Sequence, residues 1–311
     1  METILSFNTY IEHSIINNWD NEALTDYKGV TLQYHDVARK IEKLHILFEN
    51  SDIQKGDKIA VCGRNSSNLG VAFLAILTYG AVVVPIQNEF TPNQIYNIVN
   101  HSDSRLLFVG DVVATTIDAE QMPQLEGVVY IPDFSVIVSR SEKLTYAREH
   151  LNEIFGYKFP KYFRKEHVHY YIDKQPEEVA MINYTSGTTG FSKGVMIPYR
   201  ALWGNIDFTI QDIGSKLQQG SKMLSILPMA HMYGLMIEFF FGFCSGYHIY
   251  FLTRLPSPTF IAEALAEVKP AIVVSVPLVV EKIVRKLVFP TMQTNKVRLL
   301  MNMPVISKKV K

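Results

Sequence analysis

The run Tyr184-Thr185-Ser186-Gly187-Thr188-Thr189-Gly190-Phe191-Ser192-Lys193-Gly194-Val195 holds the densest set of chemically useful groups in the chain. Its glycines let the backbone turn tightly and bring N–H groups close to an anion. Its hydroxyls add donors, and Lys193 adds a point charge that can meet a phosphate. This is the composition of a loop that grips phosphate. It is not the P-loop of kinases and ATPases, where Gly-x-x-x-x-Gly-Lys-Ser/Thr opens a helix; here Lys193 is followed by Gly194. It also lacks the Gly-x-Gly-x-x-Gly of a dinucleotide fold. On composition alone, a Ser/Thr/Gly-rich hairpin turn without a ligand fits equally well. His231, shortly after Leu227-Pro228, is a second candidate, although a lone histidine after an apolar strand is more often structural.

Other groups carry weaker signals. His167 and His169 are at strand spacing, but no third ligand accompanies them, so no metal site is expected there. In Gly242-Phe243-Cys244-Ser245-Gly246 the serine is one position late for a nucleophile elbow. Cys62 and Cys244 form neither a disulfide framework nor a metal-ligand spacing, which suits a reducing cytoplasm. The run Phe239-Phe240-Phe241 reads as core, with an acyl tunnel as the alternative.

Alternating elements position these groups. A helix with apolar positions at Val37, Ile41, Leu44 and Phe48 leads to a strand, Lys58–Cys62. An apolar helix ending at Tyr79-Gly80 precedes the strand Ala81–Val84, and Thr91-Pro92 opens another helix with Thr91 as N-cap. Further strands fall at Leu106–Val109, Val179–Tyr184, Val195–Ile197, Met223–Leu227, Tyr247–Leu252 and Ala271–Ser275. Strands alternating with helices imply an α/β fold built on parallel sheet covered on both faces. The stretch 137–171 shows no clean periodicity and reads as a peripheral insertion or connection. The 30 basic and 30 acidic residues cancel, which argues against a nucleic-acid partner. The longest apolar runs, Val71–Ile86 and Gly234–Phe243, fall short of the roughly 18–20 residues that span a bilayer. No signal peptide precedes them, so a soluble protein is expected.

The full loop string resembles the phosphate loop of adenylate-forming enzymes, which include acyl-CoA synthetases, luciferases and peptide-synthetase adenylation domains. Their pattern is aromatic-Thr-Ser-Gly-Ser/Thr-Thr-Gly-x-Pro-Lys-Gly-Val, and this sequence departs from it only at Ser192. Three further segments support the resemblance in the expected order: Val30–Ala38, Phe73–Ile86 and Leu227-Pro228-Met229-Ala230-His231-Met232-Tyr233-Gly234-Leu235. The last, in its Ala-His-Met-Tyr form, leans toward long-chain fatty acid–CoA ligases. The resemblance implies the large N-terminal domain of that fold, mostly parallel sheets flanked by helices. Its division would be a first α/β subdomain over 1–180 and an incomplete second one over 181–311. It also implies that Thr185, Ser186, Gly187, Thr188, Thr189, Gly190 and Lys193 hold the β- and γ-phosphates of ATP. Lys193 and His231 would be catalytic, and Thr188 would contact Mg2+.

The implied reaction is formation of an acyl-adenylate from a fatty acid and ATP, followed by transfer of the acyl group to CoA. The family's later motifs are not found in these 311 residues: Tyr-Gly-x-Thr-Glu for adenine and magnesium, Thr-Gly-Asp for ribose, and the small mobile domain with its lysine. The chain therefore reads as a truncated N-terminal portion that grips triphosphate weakly or not at all and does not turn over by itself. Two rivals stay open: an adenylating enzyme for another carboxylic acid, and a short non-catalytic nucleotide- or acyl-binding relative. The expected location is the cytoplasm, with peripheral membrane contact and oligomeric state left open.

Overall fold

The computed structural model describes residues 6–171, 177–185, 193–254 and 257–293. In chain order, α1 (Phe7–Asn17), β1 (Glu22–Asp26), β2 (Thr31–Gln33), α2 (Tyr34–Asn50), β3 (Lys58–Cys62) and α3 (Ser67–Tyr79) come first. Next are β4 (Val82–Ile86), α4 (Pro92–His101), β5 (Ser104–Val109), α5 (Asp111–Ala114), β6 (Gly127–Tyr130), β7 (Ser135–Ser139) and α6 (Glu142–Lys158). The hairpin β8 (Val179–Thr185) and β9 (Lys193–Pro198) leads to α7 (Tyr199–Asp212) and β10 (Lys222–Ser225). A wide π-type turn, Gly234–Phe240, runs into α8 (Phe241–Cys244), followed by β11 (His248–Phe251), α9 (Pro258–Val268), β12 (Ile272–Val273) and α10 (Pro277–Ile283).

The strands form two sheets. One is ordered β7-β6-β5-β3-β4-β8-β9, parallel from β6 through β8, with antiparallel β7 and β9 at its edges. The other is ordered β12-β10-β11-β1-β2, parallel except for β2. Period-2 alternation assigns each strand's side chains to two cores. In the first sheet Ile59, Leu106 and Phe108 enter the large central core, whereas Ala60, Cys62 and Leu107 face α4. In the second, Ile249 and Phe251 face the same central core, and Leu224 and Leu252 pack on α9. The helices α1, α2 and α3 thus lie between two sheets, with α4 and α9 outside. This explains why α3 is buried on nearly every face.

Local chemistry sets the ends of these elements. The Ser66 hydroxyl caps α3 by accepting from Leu69 N, and Gly80 stops it at φ +88°. A Cβ on Gly80 would also stand 2.7 Å from the Tyr171 ring. Thr91 is the N-cap of α4 and Pro92 stands in its first turn, as expected, and Thr91 forms a capping box with Gln94. Most of the expected strands are present. The last one contracts to Ile272–Val273.

One reading of the sequence needs correction. The stretch taken as a connection without periodicity contains α6, a 17-residue helix packed on α2. Its inward stripe of Leu144, Ala147, Leu151 and Phe155 is helically spaced but narrow, and its other faces are polar. A division at residue 180 falls inside β8, which pairs with β4, while the N-terminal β1 joins β11 in the other sheet. Sheet membership therefore does not change along the chain at that point.

Candidate active site

The phosphate-loop string is carried by the β8–β9 hairpin. Thr185 and Lys193 are register partners at its loop end, and both are exposed. Ser186, Gly187, Thr188, Thr189 and Gly190 lie outside the described residues. Beneath the loop, Tyr184 is buried, and its hydroxyl is 2.7 Å from His101 Nδ1 at the end of α4. Gly194 pairs with Tyr184, and a Cβ there would meet Ile182 at 2.9 Å and the Tyr184 ring at 3.1 Å. Lys193 makes no ion pair among the described residues.

Thr185 ends a strand parallel to β4 and β3, so it sits at the carboxyl edge of the first sheet. In open parallel sheets that edge is where ligands bind. The second sheet brings its own carboxyl edge to the same region through Asn65, in the loop after β3. Asn65 Nδ2 donates to Leu227 O at 2.7 Å and reaches Ser225 Oγ at 3.3 Å, and its Oδ1 accepts from Met229 N at 2.9 Å. A second tie runs from α3 to β1, where Ser67 N and Oγ donate to Asp26 Oδ1 at 2.7 and 3.0 Å. Burial raises the Asp26 carboxyl pKa, and the Ser67 contacts oppose the shift.

His231 lies on the turn that Asn65 holds. Its amide donates to Pro228 O, its carbonyl accepts from Leu235 N, and the residue is exposed. A cavity of about 330 Å³ opens at the root of this turn, lined by Arg64, Asn65, Asn88, Glu89, Pro228 and Arg254 among others. Thr185, Lys193 and His231 are not among its lining residues. The structure thus pairs Thr185 with Lys193 and places His231 on a separate turn.

Two contributors were not recognised in the sequence. Asn65 lies in the loop just after the central parallel strand β3, and that position is a usable signal. Glu238 is the one charge in the apolar run Gly234–Phe243. It is fully buried, and its Oε2 accepts from Ser225 Oγ, Ile226 N and Leu227 N at 3.0, 3.0 and 2.9 Å. Burial pushes its carboxyl pKa up to about 8, against the pull of those three donors. Phe239, Phe240 and Phe241 are core residues with no exposed surface, as the commoner reading had it. Cys62 is buried, and Cys244 packs against the core. Among the described residues, no group of three His, Cys, Asp or Glu could hold a metal ion, and Thr188 lies outside them.

Comparison with known proteins places this arrangement. The sheets and helices are those of the N-terminal domain of adenylate-forming enzymes: the structure matches the N-terminal domain of FACL13 from Mycobacterium tuberculosis with a TM-score of 0.71 at 17% identity, over 94% of this chain and 66% of that one. A family model described as AMP-binding enzyme matches residues 11–307, and the chain belongs to that family. Long chain acyl-CoA synthetase 3 of Arabidopsis thaliana is 26% identical over 82% of this chain and 38% of its own length. The 4-chlorobenzoate–CoA ligase of an Arthrobacter species is 24% identical over 75% of this chain and 39% of its own length. The chain thus spans less than half the length of these curated relatives. No helix among the described residues is long and apolar enough to cross a membrane.

Proposed function

We propose that these residues form the triphosphate and acyl portion of a fatty acid–CoA ligase. The observation that carries this reading is the hairpin that pairs Thr185 with Lys193 across the family's phosphate-loop string, at the carboxyl edge of a parallel sheet. In the first step, a carboxylate oxygen bonds to the α-phosphorus of ATP, and the bond to pyrophosphate breaks. Lys193 and the loop donors, Thr185, Ser186, Thr188 and Thr189 with the amides of Gly187 and Gly190, orient the triphosphate and take up charge on the departing pyrophosphate. A magnesium ion would accompany the triphosphate, with the Thr188 hydroxyl as its protein contact. His231 stands beside the carboxylate and the α-phosphate. In the second step, the CoA sulfur bonds to the acyl carbon, and AMP leaves.

The engagement of Glu238 supports a lipid-like acid. Its carboxylate is turned to the end of β10 and is not offered to a substrate ammonium. A second reading, adenylation of an aryl acid, draws on the similarity to a 4-chlorobenzoate–CoA ligase. The 311 residues lack the family's adenosine-holding motifs, so we propose that this polypeptide alone does not form acyl-CoA. Acid-dependent exchange of labelled pyrophosphate into ATP, run with the product of the complete gene, tests the reading. Exchange with long fatty acids, and little with aryl or amino acids, is expected. Exchange only with aryl acids would transfer the proposal to the second reading, and exchange with no acid would end both.

A further inference from the structure

We propose that Glu238 is a positioning residue that sets the place of the His231 turn by holding the backbone at its root. The functional consequence rests on the adenylation reading above. Glu238 and Asn65 both hold the turn, and both reach the Ser225 hydroxyl. Glu238 takes the amides of Ile226 and Leu227 and the Ser225 hydroxyl. Asn65 takes the Leu227 carbonyl and the Met229 amide. Together they fix four backbone groups between Ile226 and Met229, on both sides of Pro228 and just ahead of His231. The tether is also a closed ring. Leu235 N donates to His231 O, which starts the wide turn that carries Glu238 back beneath β10. Wide turns of this type recur at functional sites.

The choice of residue supports a specific role. A carboxyl group without solvent is costly to bury unless the donors around it are used. Here an apolar side chain would leave the Ile226 and Leu227 amides without the acceptor they now have. Glu238 is therefore fitted to these donors and stands away from the reacting groups, so its effect on chemistry passes through His231.

The experiment compares the wild type, Glu238→Gln and Ser225→Ala in the product of the complete gene. Pyrophosphate exchange is measured together with amide hydrogen exchange of segment 225–231. Glu238→Gln keeps the shape but converts one acceptor into a donor. It is expected to lower kcat by about ten- to a hundredfold, as small misplacements of reacting groups do. KM for ATP and acid should stay within about threefold, which marks a loss confined to the transition state. Amide exchange should quicken at 226–229 while β3 and α3 keep their protection. Ser225→Ala, which spares both amides, should leave kcat within about threefold of wild type. Unchanged kcat and protection in Glu238→Gln would overturn the proposal, and so would loss of protection throughout β3, α3 and β10 together. If the wild type adenylates no acid, the adenylation reading fails and the amide arm decides alone. Faster exchange confined to 226–229 then upholds the tether, and unchanged exchange overturns it.

Discussion

At the scale of single residues, the site is organised by polar side chains that tie distant segments of the chain together. Asn65 serves two sheets with one amide, donating to Leu227 O and accepting from Met229 N. His45 plays a comparable part in the central core, with its Nε2 at 3.0 Å from Ala75 O and 3.1 Å from Thr78 Oγ1. Burial lowers its pKa from 6.5 to about 4, so the fold favours the neutral ring. The folded state then binds fewer protons than the unfolded state between these values. Its contribution is fully present above pH 6.5 and is lost as pH falls toward 4. At most this amounts to about 3 kcal/mol, taking 1.36 kcal/mol per pKa unit. Thermal midpoints measured from pH 4 to 7 should rise with pH. The slope should flatten in His45→Gln, which can still donate to Ala75 O. An equal slope in the two proteins would show that His45 is not the group responsible.

At the scale of elements, α3 is the piece that both sheets pack against, and its glycine marks the tightest approach. A Cβ on Gly70 would stand 2.9 Å from the Phe239 ring and 3.5 Å from Leu24. Phe239 has no exposed surface into which its ring could retreat. Gly70→Val should therefore destabilise the protein by about 1–3 kcal/mol through overpacking, measured by denaturant unfolding. Unchanged stability would mean that the α3 contact is looser than the geometry shows. Much of this level was legible beforehand. The parallel strands at Lys58–Cys62 and Leu106–Val109 are short apolar runs bounded by turn residues, and α3 announces its end with Gly80. What escaped was α6, whose stripe is one residue wide per turn among charged neighbours. The π-type turn at Gly234–Phe240 also escaped, because no spacing rule distinguishes it from an ordinary helix. The site followed the same division. The loop residues were named from a contiguous string, whereas Asn65 reaches Leu227 across 162 positions of sequence. No local pattern encodes such a pairing.

At the scale of the whole molecule, two parallel sheets share a central layer of helices and meet at their carboxyl edges. There the phosphate-loop hairpin and the His231 turn project from different sheets. This is the N-terminal domain fold of adenylate-forming enzymes, and the chain's family membership makes the triphosphate the first ligand to test. The measurement that bears most directly on the account is equilibrium binding of inorganic tripolyphosphate to the 311-residue chain, wild type beside Lys193→Ala. Tripolyphosphate needs no adenosine contacts, so it isolates the hairpin. The account predicts weak, saturable binding that falls further with added salt and drops by about tenfold or more in Lys193→Ala, the loss expected for a charge-assisted hydrogen bond. Equal affinity in the two proteins, or no binding by the wild type, would contradict it.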